Sequence, residues 1–258
     1  MGIDRIREQW EENATAFADL VDRRGTPHHR EILNPCVEKL LGDVRNKRLL
    51  DAGCGEGYLS LYYARLGAIV SGVDISPSLL HAARKAAEDE NIEVEFREGD
   101  VRRLADYQDE SFDFVLCNLV LLNVPCFEDA IRQFARVLRR GGSLVVSLVH
   151  PAFDFYGPGQ WEMGEKDPKT GRRRGRQFVM DNYFVETEYD RYWKKRDGTD
   201  FPSPISFFHR TISTYVRAMS SAGLWVDAIE EPLPPPDDDF FEREGRIPFF
   251  LVFRAVKR

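Results

Sequence analysis

The chain has 258 residues, 43% of them hydrophobic, and a formal net charge of −7. That length suits one α/β domain with decoration and a full core, and the acidic balance argues against a phosphate-binding face, so no nucleic-acid partner is expected. Cys36, Cys54, Cys117 and Cys126 lack C-x-x-C spacing and a secreted framework, the start MGIDRIREQWEEN has no apolar signal core, and no apolar run is long enough to span a bilayer; a cytoplasmic protein with reduced thiols and no membrane partner is expected.

Ile6, Trp10, Phe17, Leu20 and Val21 recur at helical intervals over about residues 4–22, which predicts an amphipathic helix or helix pair. HREILNPCVEKLLGDV predicts a second helix. Arg48 to Ser60, RLLDAGCGEGYLS, then reads as a buried strand breaking into a glycine-rich turn that opens a helix. Gly53, Gly55 and Gly57 let the backbone turn sharply and approach a ligand without side-chain clash. In an open α/β sheet the crevice at the carboxyl end of the first strands is where adenine cofactors lie. A dinucleotide fingerprint needs a further glycine at position 58, where Tyr58 stands, and Asp51 precedes the glycines. A carboxylate there repels a pyrophosphate and suits an amino group or a sulfonium, which favours S-adenosylmethionine over NAD.

AIVSGVDI predicts a second strand ending on Asp74, whose carboxylate can accept ribose hydroxyls for either cofactor. EVEFREGDVRRL predicts a third ending in Gly99-Asp100-Val101, with Asp100 placed for an adenine amino group and Val101 for its face. FDFVLCNLVLLNV predicts a fourth, ending near Asn118. Strands over 48–53, 69–75, 92–97, 112–118 and 142–149, with helices over 57–66, 77–90 and 126–139, mean crossover connections and a parallel sheet. Ser76-Pro77 is a helix start, and Gly141-Gly142 is expected to end the third of these helices and open the fifth strand.

Between His150 and Phe208 the chain becomes rich in glycine, proline, aromatics and charge, predicting a β-rich insertion in which QFVMDNYFVETEYDRYW supplies two strands of a small added sheet. Its aromatics, among them Phe155, Tyr156, Trp161 and Trp193, read either as flat pocket walls or as packing. Gly171 to Arg176, GRRRGR, reads as a solvated hairpin tip, and Pro234 to Asp239, PPPDDD, as a stiff exposed loop. STYVRAMSSAGLWVDAIEEP and IPFFLVFRAVKR predict a helix and two final strands.

LDAGCGEGYLS, GVDISP, GD and FDFVLCNLVLLNV, in this order with helices between, resemble the class I S-adenosylmethionine-dependent methyltransferases, in their small-molecule branch, over about residues 29–150. The resemblance implies a Rossmann-like, mostly parallel sheet with its last strand antiparallel. It divides the chain into a helical cap (1–45), a cofactor-binding core (46–150), a substrate-side insertion (151–208) and a C-terminal helix and strand pair completing the core (209–258). It implies that Asp51, Gly53, Gly55 and Asp74, with Ile75 beside it, hold the amino acid tail and ribose of S-adenosylmethionine. Asp100 and Val101 would frame the adenine, and Asn118 and Leu119 line the methionine side. In this family an N-terminal helical segment closes over the cofactor, which would turn Trp10, Phe17 and the His28-His29-Arg30 turn toward the site. The other reading is that Trp10 and Phe17 only pack on the sheet.

Methyl transfer is an in-line displacement at a sulfonium carbon, for which positioning can carry much of the rate. A hydroxyl acceptor must also lose its proton, whereas a neutral amine needs only its lone pair. His150, at the head of HPAFD, and His209, read as opening the helix HRTISTYV, are the candidate bases, with Tyr215 and Asn123 as further polar candidates. The fourth strand ends in neither the Asn/Asp-Pro-Pro-Tyr motif of exocyclic-amine and glutamine methylation nor an acid cluster for magnesium, so a metal-free reaction is expected. The expected function is methylation of a small aromatic or hydrophobic metabolite on oxygen or nitrogen, leaving S-adenosylhomocysteine. The alternatives are methylation of a protein or peptide, and cofactor binding without catalysis. The N-terminal helix and the added sheet offer a surface for a homodimer contact.

Overall fold

The computed structural model describes residues 2–168, 173–236 and 238–258. Gly171 and Arg172 of the arginine run, and Asp237 of the acidic loop, lie outside the described residues. Helix α1 (Ile3–Val21) leads through a π-helical turn, His29–Leu33, into α2 (Asn34–Leu41). The core then alternates β1 (Arg48–Ala52), α3 (Tyr58–Arg65), β2 (Ile69–Asp74), α4 (Pro77–Glu90) and β3 (Glu95–Glu98). It continues with β4 (Phe112–Asn118), α5 (Phe127–Val137) and β5 (Leu138–Val149). Four strands follow: β6 (Gly159–Lys166), β7 (Arg173–Met180), β8 (Thr187–Arg191) and β9 (Ile205–His209). The chain closes with α6 (Ile212–Ser221), β10 (Leu224–Glu230) and β11 (Phe250–Lys257).

Seven strands form one sheet in the order β10-β11-β5-β4-β1-β2-β3. The strands β1 to β5 run parallel to one another, and β11 runs antiparallel to both β5 and β10, as the resemblance implies. Alternate side chains of the central strands feed opposite cores, as the two-residue period of a strand requires. Leu49, Leu116, Val145 and Val252 pack with α2 and α3, whereas Leu50, Cys117, Val146 and Phe253 pack with α5 and α6. Both faces are covered, which is why these strands read as near-continuous apolar runs. Because β2 lies on one side of β1 and β4 on the other, the strand order reverses at β1 and opens a crevice at its carboxyl end.

Several boundaries differ from expectation. Asn91 takes the left-handed conformation (φ 52°) and Ile92 N–H donates to Ala87 O at 2.9 Å, so 92–94 are spent stopping α4 and β3 begins only at Glu95. Helix α5 ends at Val137, and Gly141-Gly142 lies inside β5 instead of between helix and strand; Leu138 is already extended (ψ 135°). The added strands do not pair as QFVMDNYFVETEYDRYW suggests: β7 pairs with β6 and β8 with β9, as two separate antiparallel hairpins. His209 is the last residue of β9 and not a helix start; Thr211 caps α6 by accepting from Thr214 N–H.

The N-terminal segment is a single helix, not a pair, and it is stitched across the site. The buried Asn13 side chain donates to Ser203 O at 2.9 Å and accepts from Ser203 N–H at 3.0 Å. Glu11 accepts from the Ser76 hydroxyl at 2.6 Å and from Ser78 N–H at 3.2 Å, at the start of α4. Helix α1 thereby bridges the core and the 151–208 insertion.

Candidate active site

A cavity of about 820 Å³ opens where β1, β2 and β4 end. Asp51, Gly53, Gly55, Asp74, Ile75, Asp100, Val101, Asn118 and Leu119 all line it, so every residue expected at the cofactor is brought to one place. The glycine turn is tight: Gly53 has φ +82°, and a Cβ there would lie 2.3 Å from Val120 Cγ2. Only glycine fits both that backbone angle and that approach.

The floor of this end is acidic. Asp51 is 2% exposed and accepts from the Ser60 hydroxyl at 2.6 Å. Asp74 accepts from Gly55 N–H and Ser76 N–H, each at 2.9 Å, which ties the glycine turn to the end of β2. Glu56 is buried beside them, and its Oε1 has no hydrogen-bond partner among the described residues. Burial pushes the Asp51 carboxyl up to about 7, with the Asp74 charge adding to it, and pushes Glu56 up to about 8. Burial also raises Asp74, against the pull of its backbone hydrogen bonds. Three buried acids with an orphaned oxygen fit a ligand that brings positive charge, as the ammonium and sulfonium of S-adenosylmethionine do.

Other expected contacts are already partly engaged. The Asp100 carboxylate accepts from Arg102 N–H at 2.9 Å and from the Arg102 guanidinium at 2.8 Å, which limits what it can offer an adenine. Asn118 Oδ1 accepts from the Ser147 hydroxyl at 2.7 Å. Leu119 follows in the left-handed region (φ 57°), held by its N–H on Ser147 O at 3.1 Å, a strained residue of the kind that gathers at ligand sites.

Neither histidine proposed from sequence lines the cavity. His150 is 2% exposed; its Nε2 meets Glu231 at 2.9 Å and its Nδ1 accepts from Ala152 N–H at 3.1 Å. Burial lowers it despite Glu231. His209 is equally buried, with Nε2 on Tyr183 O at 2.9 Å and Nδ1 by Asp154 at 3.3 Å. Burial opposes its charge, but Asp154 and the Tyr183 carbonyl outweigh that and raise it. Both rings have both nitrogens occupied, so the base role expected of them is withdrawn. Tyr215 is buried away from the cavity, while Asn123 lines it and donates to Ser206 O at 2.8 Å.

Much of the remaining cavity wall is aromatic, and Phe17 reaches the glycine turn itself, 3.5 Å from where a Cβ on Gly55 would lie. Trp10 and Phe17 line the cavity and also pack on each other, with ring centroids 5.2 Å apart, so both readings of them hold. Phe17 stacks on Trp193 at 6.0 Å, and Trp193 on Tyr156 at 6.1 Å. The turn contributes His28 and His29, and the loop joining β10 to β11 contributes Glu244. Sequence reasoning missed Glu244. The available signal was topological: β11 is antiparallel to β5, with Phe250 beside Val149, so the loop before β11 must emerge at the carboxyl edge of the parallel strands. Among the described residues no group of three histidine, cysteine or acidic side chains is arranged to hold a metal, and no helix is long and apolar enough to cross a membrane.

Residues 50–146 match the family described as Methyltransferase domain. A ubiquinone biosynthesis O-methyltransferase of Alkalilimnicola ehrlichii is 38% identical over 114 residues, 44% of this chain and 46% of that enzyme; the chain thus matches about half the length of such relatives. An uncharacterized protein of Haemophilus influenzae is 26% identical over 88% of this chain and 90% of its own. A crystal structure from Listeria monocytogenes, assigned to the S-adenosylmethionine-dependent methyltransferases, superposes with a TM-score of 0.71 at 25% identity, covering 95% of this chain and 99% of that one. The domain match spans the crevice-forming strands and the structural likeness extends over nearly the whole chain: residues 50–146 match a methyltransferase domain, the fold is that of the S-adenosylmethionine-dependent methyltransferases, and both point to S-adenosylmethionine as the cofactor.

Proposed function

We propose that the protein transfers a methyl group from S-adenosylmethionine to a small aromatic or otherwise apolar acceptor. The observation that carries this reading is a single cavity behind α1 lined both by the buried acids of the glycine turn and by aromatic side chains. Ligand pockets run from about 300 to 1,000 Å³, so its volume of about 820 Å³ suits a cofactor and a second small molecule together. When bound, the cofactor supplies an electrophilic methyl carbon. The protein's part is to hold the acceptor in line with it and to exclude water, which can account for several orders of magnitude in rate. The named O-methyltransferase relative supports a small hydroxylated ring as acceptor, since flat apolar walls such as Trp193 and Tyr156 suit one.

The cofactor end is tested with Asp74→Asn, which keeps the shape but removes the charge and one acceptor. Affinity for S-adenosylhomocysteine, measured by calorimetry with NAD as control, should fall about tenfold or more, the loss of a charge-assisted hydrogen bond. The activity is tested by acceptor-dependent formation of S-adenosylhomocysteine across a panel of phenols, amines and carboxylic acids. Binding of NAD in place of S-adenosylhomocysteine would overturn the reading.

A further inference from the structure

We infer that His28, oriented by Glu244, takes the proton of a hydroxyl acceptor bound in the cavity; this rests on the methyltransferase reading above. His28 Nε2 lies 2.7 Å from Glu244 Oε1, a contact between residues 216 positions apart, and both line the cavity. Glu244 is 2% exposed, and its second oxygen has no hydrogen-bond partner among the described residues. The imidazole is fixed by aromatic rings, stacked on Phe249 at 5.6 Å and edge-on to Phe241 at 5.4 Å.

The tautomer follows from the partner. Burial pushes the Glu244 carboxyl up, but the hydrogen bond from His28 and neighbouring contacts bring it below its ordinary value, so it is an ionised acceptor. An ionised carboxylate can only accept, so Nε2 carries the hydrogen and donates. Nδ1 is left with a bare lone pair and has no protein partner among the described residues. That is the arrangement in which a carboxylate orients a histidine and stabilises its imidazolium.

His29, the next residue, cannot do the same. Its Nδ1 accepts from Thr26 N–H at 3.1 Å, so in the neutral ring Nε2 is the donor, and burial pushes it down to about 4. Arg243 acts on Glu244, and on the turn His29 feels the charges of His28 and Arg30.

In the proposed step the acceptor oxygen forms its bond to the methyl carbon as the carbon–sulfur bond breaks, with the electron pair remaining on the now neutral sulfur. The hydroxyl proton passes to His28 Nδ1, and the imidazolium is held by Glu244. The acceptor class is therefore a phenol or another ionisable O–H compound. Glu244 is a positioning residue.

The test uses the full chain and its His28→Ala and Glu244→Gln variants. Calorimetry with S-adenosylhomocysteine comes first: no binding by the wild type would sink the methyltransferase reading itself, whereas affinities in all three within about threefold show the cofactor end intact. Nitrogen-15 NMR of the imidazoles then decides without any acceptor in hand. His28 should be protonated at Nε2 and bare at Nδ1, a preference lost in Glu244→Gln; an Nδ1-protonated ring in the wild type overturns the inference. With a panel of phenols, amines and thiols, phenols should be methylated, and kcat should fall about 10²–10⁴-fold in His28→Ala with the cofactor KM little changed. The acidic limb of the wild-type kcat/KM profile should shift in Glu244→Gln. Equal turnover of phenols by His28→Ala, or turnover of amines and thiols alone, overturns it.

Discussion

Asp51 and Glu56 carry opposite demands from folding and from binding. Burial pushes them up to about 7 and about 8 in the ligand-free protein, and the charge of the neighbouring acids adds to it. Since their folded pKa values lie above those of the unfolded chain, the native state retains protons that the unfolded state loses first. Stability of the ligand-free protein should therefore fall as pH rises from about 5 to about 8. A ligand that sets an ammonium group against these carboxylates opposes that trend, because it favours their ionised forms. The rise in Tm on adding S-adenosylhomocysteine should be larger at the alkaline end of that range, and Asp51→Asn with Glu56→Gln should flatten both trends. A ligand-free Tm that climbs over this range in scanning calorimetry would show the acids to be paired with cations instead. The acids and glycines expected at the cofactor gather at one cavity because they sit at strand ends, where local pattern determines position. His150 and His209 were misjudged because proximity to a strand end says nothing of hydrogen-bond partners drawn from distant loops: Glu231 for one, Asp154 and Tyr183 for the other.

At the scale of elements, α1 is the piece whose role depends most on what it touches. Its amphipathic period was readable, but Asn13 at its buried face was not interpretable until Ser203 was found opposite. Removing that side chain leaves a buried N–H and a carbonyl unsatisfied, so Asn13→Ala should cost about 1–3 kcal/mol of stability in urea denaturation. The same change should speed amide exchange in α1 well before the β1–β4 core opens, because it removes a buried tie between α1 and the insertion. A uniform acceleration across the sheet would show instead that α1 unfolds only with the whole protein. Core strands and helices followed their periodicity closely. The insertion did not: runs of alternating residues identify strands but not their partners, and pairing of β6 with β7 and of β8 with β9 depends on loop geometry between them.

The walls of the cavity include, besides the strand ends, four parts of the chain far apart in sequence: α1, the glycine turn, the 151–208 insertion and the loop before β11. Ligand binding should therefore be felt by all four. Hydrogen exchange with saturating S-adenosylhomocysteine should slow in α1 and in the β10–β11 loop as well as at the β1–α3 turn; protection confined to the turn would show that α1 and the loop do not close over the ligand. What the sequence determined by itself is the doubly wound core and the glycine turn at its crevice, because the alternation of strand and helix and that turn are set by interactions within a few residues and by the common geometry of parallel sheets. Only the tertiary structure decided the rest of the cavity wall. His28 and Glu244 meet across 216 positions because antiparallel β11 brings its preceding loop to the edge where β5 ends, and no local pattern encodes that encounter.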